Sequence, residues 1–485
     1  MNPELSASDP KSIAAGLVRS SLTQRPLVAE LAERFTKAGY KLALVGGPVR
    51  DAILGRLGND LDFTTDVRPD ETKSIIKKGA DSIWETGREF GTIAAQFGET
   101  TVEITTYRSE IYDRESRNPQ VKFGESIEGD LLRRDFTVNA MALELTTTPP
   151  TFIDNFSGVA DLLKKVLRTP GSPEDSFTDD PLRMMRAARF AAQLGFEVDA
   201  EIITAITDMA KRIEIISAER VRDELIKLLM SDNPRIGLSL LVETGLADFI
   251  LPELPKLKLE IDEHHHHKDV YEHTLKVLEQ AIELEERLGG PSLVIRLAAL
   301  LHDIGKPKTR ELIPGGGVSF HHHEVVGSRM AKERLKRLRF SNEIVADVSA
   351  LVFLHLRFHG YGTGEWTDSA VRRYIRDAEH QLTHLHVLTR ADCTTRNQRK
   401  AESLAKTYDS LEERIDKLMA EEELNKIRPD LDGVEIMQIL GIQPSPIVGR
   451  AYKYLLDLRM DRGPLGADVA KSELLDWWRL NQPKT

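Results

Sequence analysis

The chain lacks most of the features that mark secreted or membrane-embedded proteins. It has one cysteine, Cys393, in 485 residues, so an internal disulfide is excluded and we expect no disulfide-linked partner. No apolar run is long enough to cross a bilayer, and residues 1–24 lack the basic-then-apolar order of a secretory signal. We therefore predict a cytoplasmic protein that does not bind membranes.

An excess of positive charge is also missing. Acidic residues number 77 against 66 basic ones, which gives a net charge of −11. This excludes an overall basic coat but not a local basic face, because affinity for nucleic acid follows the patch and not the total. The hydrophobic content of 41% and charged content of 29% are typical of globular proteins. The length predicts three or four domains.

Residues 42–66 carry the first chemical motif. The apolar run Leu42–Val45 predicts a buried strand, and Gly46-Gly47 followed by Pro48 predicts a bend into a helix N-terminus. Glycines let backbone amides approach an anion closely, and the end of a helix favours negative charge. The bend is therefore a predicted phosphate-binding element.

Two carboxylates follow in the same stretch. Asp60 and Asp62 flank Leu61, and in an extended segment both acids project from one face. Paired carboxylates are the hard oxygen ligands that Mg²⁺ prefers. Together with the phosphate-binding bend, they predict metal-assisted phosphoryl or nucleotidyl transfer. Glu103, in the second strand of a hairpin predicted over residues 93–107, is a candidate third carboxylate.

Three later segments contain clusters of charged and polar residues. Residues 108–118 are poor in apolar side chains and predict a mobile loop. Residues 130–142 place Leu131, Leu132 and other apolar residues on one stripe and leave four polar ones, namely Arg133, Arg134, Asp135 and Asn139. Residues 179–190 predict a helix in which four polar residues recur every three positions, namely Asp180, Arg183, Arg186 and Arg189.

In this order the motifs resemble the class II tRNA nucleotidyltransferases (CCA-adding enzymes), a family shared with bacterial poly(A) polymerases. The segments that carry the resemblance are Val45-Gly-Gly-Pro-Val-Arg-Asp51, Asp60-Leu-Asp62, Arg133-Arg-Asp-Phe-Thr-Val-Asn-Ala140 and Asp180-Pro-Leu-Arg-Met-Met-Arg186. It implies an α+β fold, with a polymerase-β-type nucleotidyltransferase head on a small mixed sheet. All-α neck, HD and body or tail domains are expected to follow the head.

The resemblance also implies roles for single residues. Asp60 and Asp62 would hold Mg²⁺, with Glu103 as the third acid. The residues implied in nucleotide binding are Gly46, Gly47, Arg50, Arg133, Arg134, Asp135, Asn139, Asp180, Arg183, Arg186 and Arg189.

Asp180 and Arg183 can explain selection of C and A. A carboxylate accepts from the amino group of either base, while a guanidinium donates to the neighbouring ring nitrogen. Uracil and guanine place a carbonyl where the amino group should be, against the carboxylate. The family usually has Glu where Asp179 stands, and the shorter side chain here keeps the acid function with less reach.

A second constellation begins after residue 255. It resembles the HD superfamily of metal-dependent phosphohydrolases, and the matching first set of metal ligands is His273, His302, Asp303 and Asp392. His323 and His355 fall where some members place further ligands. Imidazole and carboxylate together suit a divalent transition metal or Mg²⁺. The implied substrates are phosphomonoesters or cyclic phosphates at an RNA end.

The predicted domains are a poorly ordered lead-in, a head, a neck that recognises nucleotide and RNA, an HD domain, and a tRNA-binding body or tail. Their bounds are 1–25, 26–150, 151–255, 256–400 and 401–485. Residues 329–339 are the densest basic stretch, with Leu335 and Leu338 expected to pack inward. A solvated helix face and a contact with the tRNA backbone fit that stretch equally well.

The predicted function is template-independent addition of C, C and A to the 3′ end of tRNA from CTP and ATP, with release of pyrophosphate. Alternatives are a bacterial poly(A) polymerase and a partial CCA-adding enzyme. A pure CC-adding enzyme is disfavoured, because such members tend to lack the flexible element that residues 107–120 retain. An alternative of another class is an HD phosphohydrolase whose head binds RNA without catalysis.

Overall fold

The structure, a computed structural model, describes residues 9–85, 87–111, 120–123, 126–259, 269–312, 318–360, 366–395, 397–422 and 428–481. The chain divides into two compact units, Met1–Pro255 and Lys256–Thr485. The four-histidine run at residues 264–267 and most of the loop predicted over residues 108–118, namely residues 112–118, lie outside the described residues. None of the helices in the described ranges has the length and apolar character that a membrane crossing requires.

The first unit is built on a mixed sheet. Its strands are β1 (Leu42–Val45), β2 (Asp60–Thr65), β3 (Ser82–Trp84), β4 (Thr92–Phe97), β5 (Thr100–Thr106), β6 (Arg108–Ile111), β7 (Gln120–Phe123), β8 (Ala142–Glu144), β9 (Thr151–Ile153), β10 (Val166–Leu167) and β11 (Glu197–Val198). Seven of them form one sheet in the order β3-β4-β5-β2-β1-β8-β9. In this sheet β2 and β5 run parallel and the other neighbours antiparallel.

Helices surround this sheet and continue beyond it. They are α1 (Pro10–Thr23), α2 (Pro26–Ala38), α3 (Gly47–Ile53), α4 (Pro69–Ile76), α5 (Ile127–Leu132), α6 (Gly158–Lys164), α7 (Pro173–Asp179), α8 (Leu182–Leu194), α9 (Ala200–Met209), α10 (Ala218–Leu229), α11 (Pro234–Glu243), α12 (Ala247–Ile250) and α13 (Glu253–Lys256). Helices α10 and α11 both pack on α8. After β9 the first unit is helical in its described residues apart from the short parallel pair β10 and β11.

Three local predictions were wrong over the residues that the structure describes. The lead-in forms a helix, α1, because Ala14, Ala15 and Val18 give it one apolar stripe that is buried. The segment predicted as a mobile loop begins with β6, which pairs with β7. Leu132 is 51% exposed and does not join the core stripe, because α5 ends there and the chain turns before β8.

The second unit is almost entirely helical. Its helices are α14 (Val270–Glu283), α15 (Leu293–Leu301), α16 (Lys306–Thr309), α17 (His323–Arg337), α18 (Asn342–Leu354), α19 (Asp368–Ala378), α20 (Leu382–Asp392), α21 (Gln398–Glu422), α22 (Gly433–Leu440), α23 (Pro446–Arg462) and α24 (Ala467–Asn481). A short hairpin joins β12 (Glu311–Leu312) and β13 (Val318–Ser319). Leu335 and Leu338 are buried as predicted for the basic stretch.

Candidate functional site

The predicted acidic residues lie on two neighbouring parallel strands. In the register of β2 and β5, Asp62 is opposite Glu103. Residues paired across a sheet share a face, and Asp60 lies two positions before Asp62 on the same face. Leu61 points the other way and is buried in the core. The structure therefore brings the three predicted acids to one face of the sheet.

The electrostatics of Asp62 reflect this crowding. Burial is the main reason why the pKa of Asp62 is raised to about 6. The charges of Glu103 and Asp60 act in the same direction, and that of Arg134 acts against it. A divalent cation would relieve this repulsion, and three carboxylates are a donor set that suits Mg²⁺. Among the described residues, groups of three candidate ligands within 4.8 Å of one another occur in the second unit instead.

The glycine bend follows the strand beside the acids. Leu44 of β1 pairs with Phe63 of β2. Because the two strands are antiparallel, the bend that follows β1 lies beside Asp62. Gly46 has φ = 74°, and a Cβ there would stand 2.7 Å from Arg134 Nη1. The bend thus needs glycine for its backbone conformation, and this guanidinium would have to move aside for a Cβ.

A cleft of about 380 Å³ adjoins this face of the sheet. The size lies in the range of small-molecule sites. Ten residues line it: Thr105, Asp130, Arg133, Arg134, Asp135, Asp180, Leu182, Arg183, Arg186 and Arg220. Thr105 lies two positions after Glu103 on β5, so the cleft and the acids share one side of the sheet. Five arginines against three aspartates favour an anionic ligand.

Each aspartate of the cleft is paired with an arginine. Asp130 lies 3.3 Å from Arg134 Nη2. Asp135 accepts from Arg186 Nε at 2.7 Å, and Asp180 accepts from Arg220 Nη2 at 2.7 Å. The arginine positions are therefore set by the protein itself.

Arg50, predicted to bind nucleotide, is buried in the structure. Its Nε and Nη2 donate to the two carboxylate oxygens of Asp51, and its Nη1 donates to Asn139 at 2.6 Å. Asn139 in turn donates to Asp135 at 3.0 Å. Although burial alone would raise the pKa of Asp135, the charge of Arg186 and the bond from Asn139 hold it well below its usual range. These residues form a network under the cleft and link α3 to α8.

Asp180 and Arg183 both line the cleft, but the prediction that they are neighbours on one helix was wrong. Asp180 has extended backbone angles of φ −144° and ψ 101° and follows α7, whereas Arg183 belongs to α8. The residue before a proline is disfavoured in helical conformation, and Pro181 follows directly. Arg183 donates to Ser176 Oγ at 2.9 Å and to the backbone oxygen of Arg133.

Two residues of α10 were missed by reading the sequence. Arg220 lines the cleft and holds Asp180. Glu224 is 4% exposed and pairs with Arg189 Nε at 2.7 Å and with Arg186 Nη1 at 3.9 Å. Their spacing of four puts both on one face of α10, but nothing in the sequence says that this face meets α8. Arg189 is not among the residues that line the cleft.

The second unit gathers the predicted HD residues into two groups. The first group is His273, His302 and Asp392, and the second is Asp303, His323 and His355. Asp303 bridges them, since its Oδ2 is 3.2 Å from His302 Nε2 and its Oδ1 is 3.3 Å from His323 Nε2. All six residues that were predicted as ligands therefore converge.

The ring nitrogens of this centre fit a metal. The Nδ1 atoms of His302, His323 and His355 lie 2.7–2.8 Å from backbone carbonyl oxygens, so a neutral ring carries its proton there. Each Nε2 then presents a lone pair to the centre, as metal-ligating histidines do. His323 Nε2 faces His355 Nε2 at 3.3 Å. Two lone pairs at this distance repel one another unless a cation lies near both.

The charges of the centre also favour a cation. Burial alone would lower the pKa of His302, yet the charges of Asp303 and Asp392 raise it to about 9. His355 has the opposite balance, since burial lowers its pKa to about 3. Lys306 Nζ lies 2.9 Å from Asp303 Oδ2 and supplies one positive charge. The two carboxylates thus draw positive charge into the centre, from Lys306 and, in the absence of a metal, from a proton on His302.

Three known family models match successive parts of the chain. The model described as the poly A polymerase head domain matches residues 42–168, and one described as a probable RNA and SrmB-binding site of polymerase A matches residues 195–257. The HD domain model matches residues 270–397. Fold and sites therefore define a protein with a polymerase head and an HD domain.

A relative that matches almost the whole chain identifies the family more narrowly. The A-adding tRNA nucleotidyltransferase of Deinococcus radiodurans is 32% identical over 451 residues, which cover 91% of this chain and 96% of the relative. The chain belongs to the tRNA nucleotidyltransferase family. This confirms the family and the α+β fold class that the sequence motifs predicted.

Other relatives match a part of the chain or its fold alone. The CCA-adding enzyme of Levilactobacillus brevis is 42% identical over 227 residues, which cover 47% of this chain and 55% of that enzyme. The chain thus spans about half the length of that curated relative. The crystal structure of the Bacillus stearothermophilus CCA-adding enzyme in complex with CTP has a TM-score of 0.68 at 22% identity, over 93% of this chain and 97% of the other. At this identity the likeness shows the fold.

Proposed function

We propose that the first unit adds C, C and A to the 3′ end of tRNA from CTP and ATP, without a nucleic-acid template, and releases pyrophosphate. The observation that carries this proposal is the placement of Asp62 opposite Glu103, on the sheet face that adjoins a cleft lined by five arginines. Relatives named as CCA-adding enzymes support it. The sequence-based site assignments remain part of the proposal.

The acids and the arginines have separate tasks in this scheme. Asp60 and Asp62, with Glu103, would hold Mg²⁺, which would lower the pKa of the attacking 3′-hydroxyl and neutralise charge on the leaving group. The arginines of the cleft and the amides of the Gly46-Gly47 bend bind and orient the triphosphate. The protein thus contributes mainly position and fixed charge.

Base selection falls to the side of the cleft that carries Asp180 and Arg183. The Asp180 carboxylate accepts from the amino group of cytosine or adenine, and Arg183 donates to the ring nitrogen beside it. A carbonyl at the amino position would face the carboxylate. Such a contact discriminates by roughly 1–3 kcal/mol per base.

The test is incorporation of labelled CTP and ATP into a tRNA that lacks its terminal CCA, with product lengths read on a sequencing gel. We expect extension by three nucleotides with both substrates present, and loss of extension in Asp60→Ala. Long tails made from ATP alone would identify a poly(A) polymerase instead. Full extension by Asp60→Ala would refute the proposed site.

A second candidate is addition of the terminal A alone. The observation in its favour is that the relative matching nearly the whole chain is named an A-adding tRNA nucleotidyltransferase. Two tRNA substrates distinguish the candidates, one ending before CCA and one ending after CC. A chain that extends only the second substrate, and only with ATP, adds A alone.

For the second unit we propose metal-dependent hydrolysis of phosphomonoesters or cyclic phosphates at RNA ends. The two ligand groups bridged by Asp303 carry this proposal, and their imidazole and carboxylate donors suit a divalent transition metal or Mg²⁺. Hydrolysis of a 2′,3′-cyclic nucleotide should need added metal and should be lost in His302→Ala. Asp60→Ala should retain it. Hydrolysis that persists in His302→Ala would overturn the assignment.

The partner and the domain roles complete the proposal. The tRNA would be held by shape and phosphate contacts from residues 151–255 and 401–485, so that binding weakens as salt rises. The exposed cations Lys332 and Lys336 of α17 stay candidates for contacts with its backbone. The predicted cytoplasmic location rests on the single cysteine and stays a prediction.

A further inference from the structure

The Asp180 carboxylate accepts hydrogen bonds from two donors, and neither of them is Arg183. Its Oδ1 accepts from the Leu182 amide at 3.1 Å, at the start of α8. Its Oδ2 accepts from Arg220 Nη2 at 2.7 Å. The first bond fixes where the carboxylate lies, and the second fixes how it is rotated.

This orientation matters because the Asp180 side chain has a soft torsion. The terminal torsion of aspartate is broad and two-fold, so a carboxylate with a single partner turns easily. Each carboxylate oxygen can accept more than one hydrogen bond. Oδ2 can therefore accept a base amino group while Arg220 still holds it.

The helix that carries Arg220 is held by buried ion pairs, although the Arg220 side chain itself is half exposed. One turn further along α10, Glu224 is buried and pairs with Arg186 and Arg189 of α8. These pairs fix α10 against the helix that Asp180 precedes. The Arg220 side chain is 52% exposed and lines the cleft, so it reaches Asp180 from a fixed base.

We propose that Arg220 is a positioning residue for base selection: it keeps the Asp180 carboxylate turned toward the position of the base amino group. This inference rests on the proposed nucleotidyl transfer. Without Arg220 the carboxylate can turn away, and the repulsion that rejects the carbonyl of uracil or guanine then weakens. The loss should therefore appear in the choice between bases, more than in the rate with the correct base.

The test compares three variants in single-nucleotide incorporation on tRNA with CTP, UTP, ATP and GTP. Arg220→Ala should lower the kcat/KM ratios of CTP over UTP and ATP over GTP by roughly tenfold, within the range expected for one base contact. Arg220→Lys should restore part of each ratio, since an ammonium can make one of the bonds. Arg222→Ala is the matched control, because Arg222 bonds Asp223 at 2.9 Å and does not line the cleft.

The competing role for Arg220 is to bind phosphate. In that case Arg220→Ala would raise KM for all four nucleotides together and leave the ratios unchanged, which overturns the inference. Thermal midpoints of Arg220→Ala and Arg222→Ala that both equal the wild-type value would exclude a folding defect. In a folded Arg220→Ala variant, kcat/KM ratios of CTP over UTP and ATP over GTP that fall below the wild-type ratios support the inference. If the wild-type chain adds neither C nor A to tRNA, the proposed function itself fails, and this inference fails with it.

Discussion

The two centres of this chain solve opposite charge problems. In the cleft of the first unit, each aspartate is paired with an arginine, and arginines remain in excess. In the centre of the second unit, imidazole nitrogens face one another beside two carboxylates. The first arrangement sets its arginines in place within the protein and would suit an anionic ligand. The second has a set of donors that a divalent cation would complete.

The difference also appears in how each centre is held. The cleft depends on side chains that reach across from α10 and α3, so its geometry depends on ion pairs and hydrogen bonds between elements. The second centre is fixed from within, because three of its rings donate to carbonyl oxygens three residues earlier in the chain. We therefore expect substitutions in the first unit to act over a distance and those in the second to act locally.

Removing one charge from the acidic face should give the largest effect. Asp62→Asn keeps the shape of the side chain but removes a ligand of the proposed Mg²⁺. A loss of several kcal/mol in transition-state stabilisation corresponds to about 10³-fold or more in kcat for nucleotide incorporation. Hydrolysis of a cyclic nucleotide by the second unit should be unchanged.

The control for this change is Asp70→Asn on α4. Asp70 is exposed and pairs with Arg88 at the surface, where such pairs contribute little. Equal losses of incorporation in both variants would contradict the assignment of Asp62. A loss of both activities in Asp62→Asn would mean that the two centres are not independent.

Breaking the buried ion pairs between α10 and α8 should rank second. Glu224→Ala leaves Arg189, which is largely buried, without its carboxylate, and such a loss costs about 3 kcal/mol. Urea unfolding should show this as a lower midpoint for the first unit, while Glu243→Ala at an exposed position of α11 should change little. A wild-type midpoint in Glu224→Ala would show that the pairs do not stabilise α10 on α8.

Removing a ligand from the second group should have a smaller and local effect. His355→Ala leaves the first group, His273, His302 and Asp392, in place. Metal should therefore remain at the first group, while binding at the second group should weaken by about tenfold or more. The measurement is metal content per chain by mass spectrometry after dialysis, with and without a chelator. His321→Ala, an exposed neighbour outside both groups, is the control. Loss of all metal in His355→Ala would contradict two separate positions.

Sequence reasoning predicted local features well and contacts between elements poorly. Asp60 and Asp62 could be placed on one face because the period of a strand is fixed by geometry. The glycine bend could be predicted because its residues have few alternatives. The Arg220–Asp180 pair could not, since it joins positions 40 apart in the chain through the packing of α10 on α8.

The same limit applies to contacts that lie beneath a predicted site. Arg50 was predicted to bind nucleotide from its motif, and the structure adds that its guanidinium lies between Asp51 and Asn139. A motif states which residue types recur together, but not which of them are buried under the ligand. In the second unit the histidine set needed no such distinction, because every member of it converges.

Adding one methyl group at the glycine bend should give the smallest of the four effects, and it tests whether the bend and the arginines act together. Gly46→Ala must adopt φ = 74° and meets Arg134 Nη1 at 2.7 Å. The strain costs about 1–2 kcal/mol of stability, and the displaced guanidinium should raise KM for CTP and ATP alike. Gly58→Ala, with nothing within 4 Å of its added Cβ, should keep both stability and KM. If Gly46→Ala lost stability without any change in KM, the bend would be a structural turn, and the phosphate contacts would have to come from the arginines of the cleft alone.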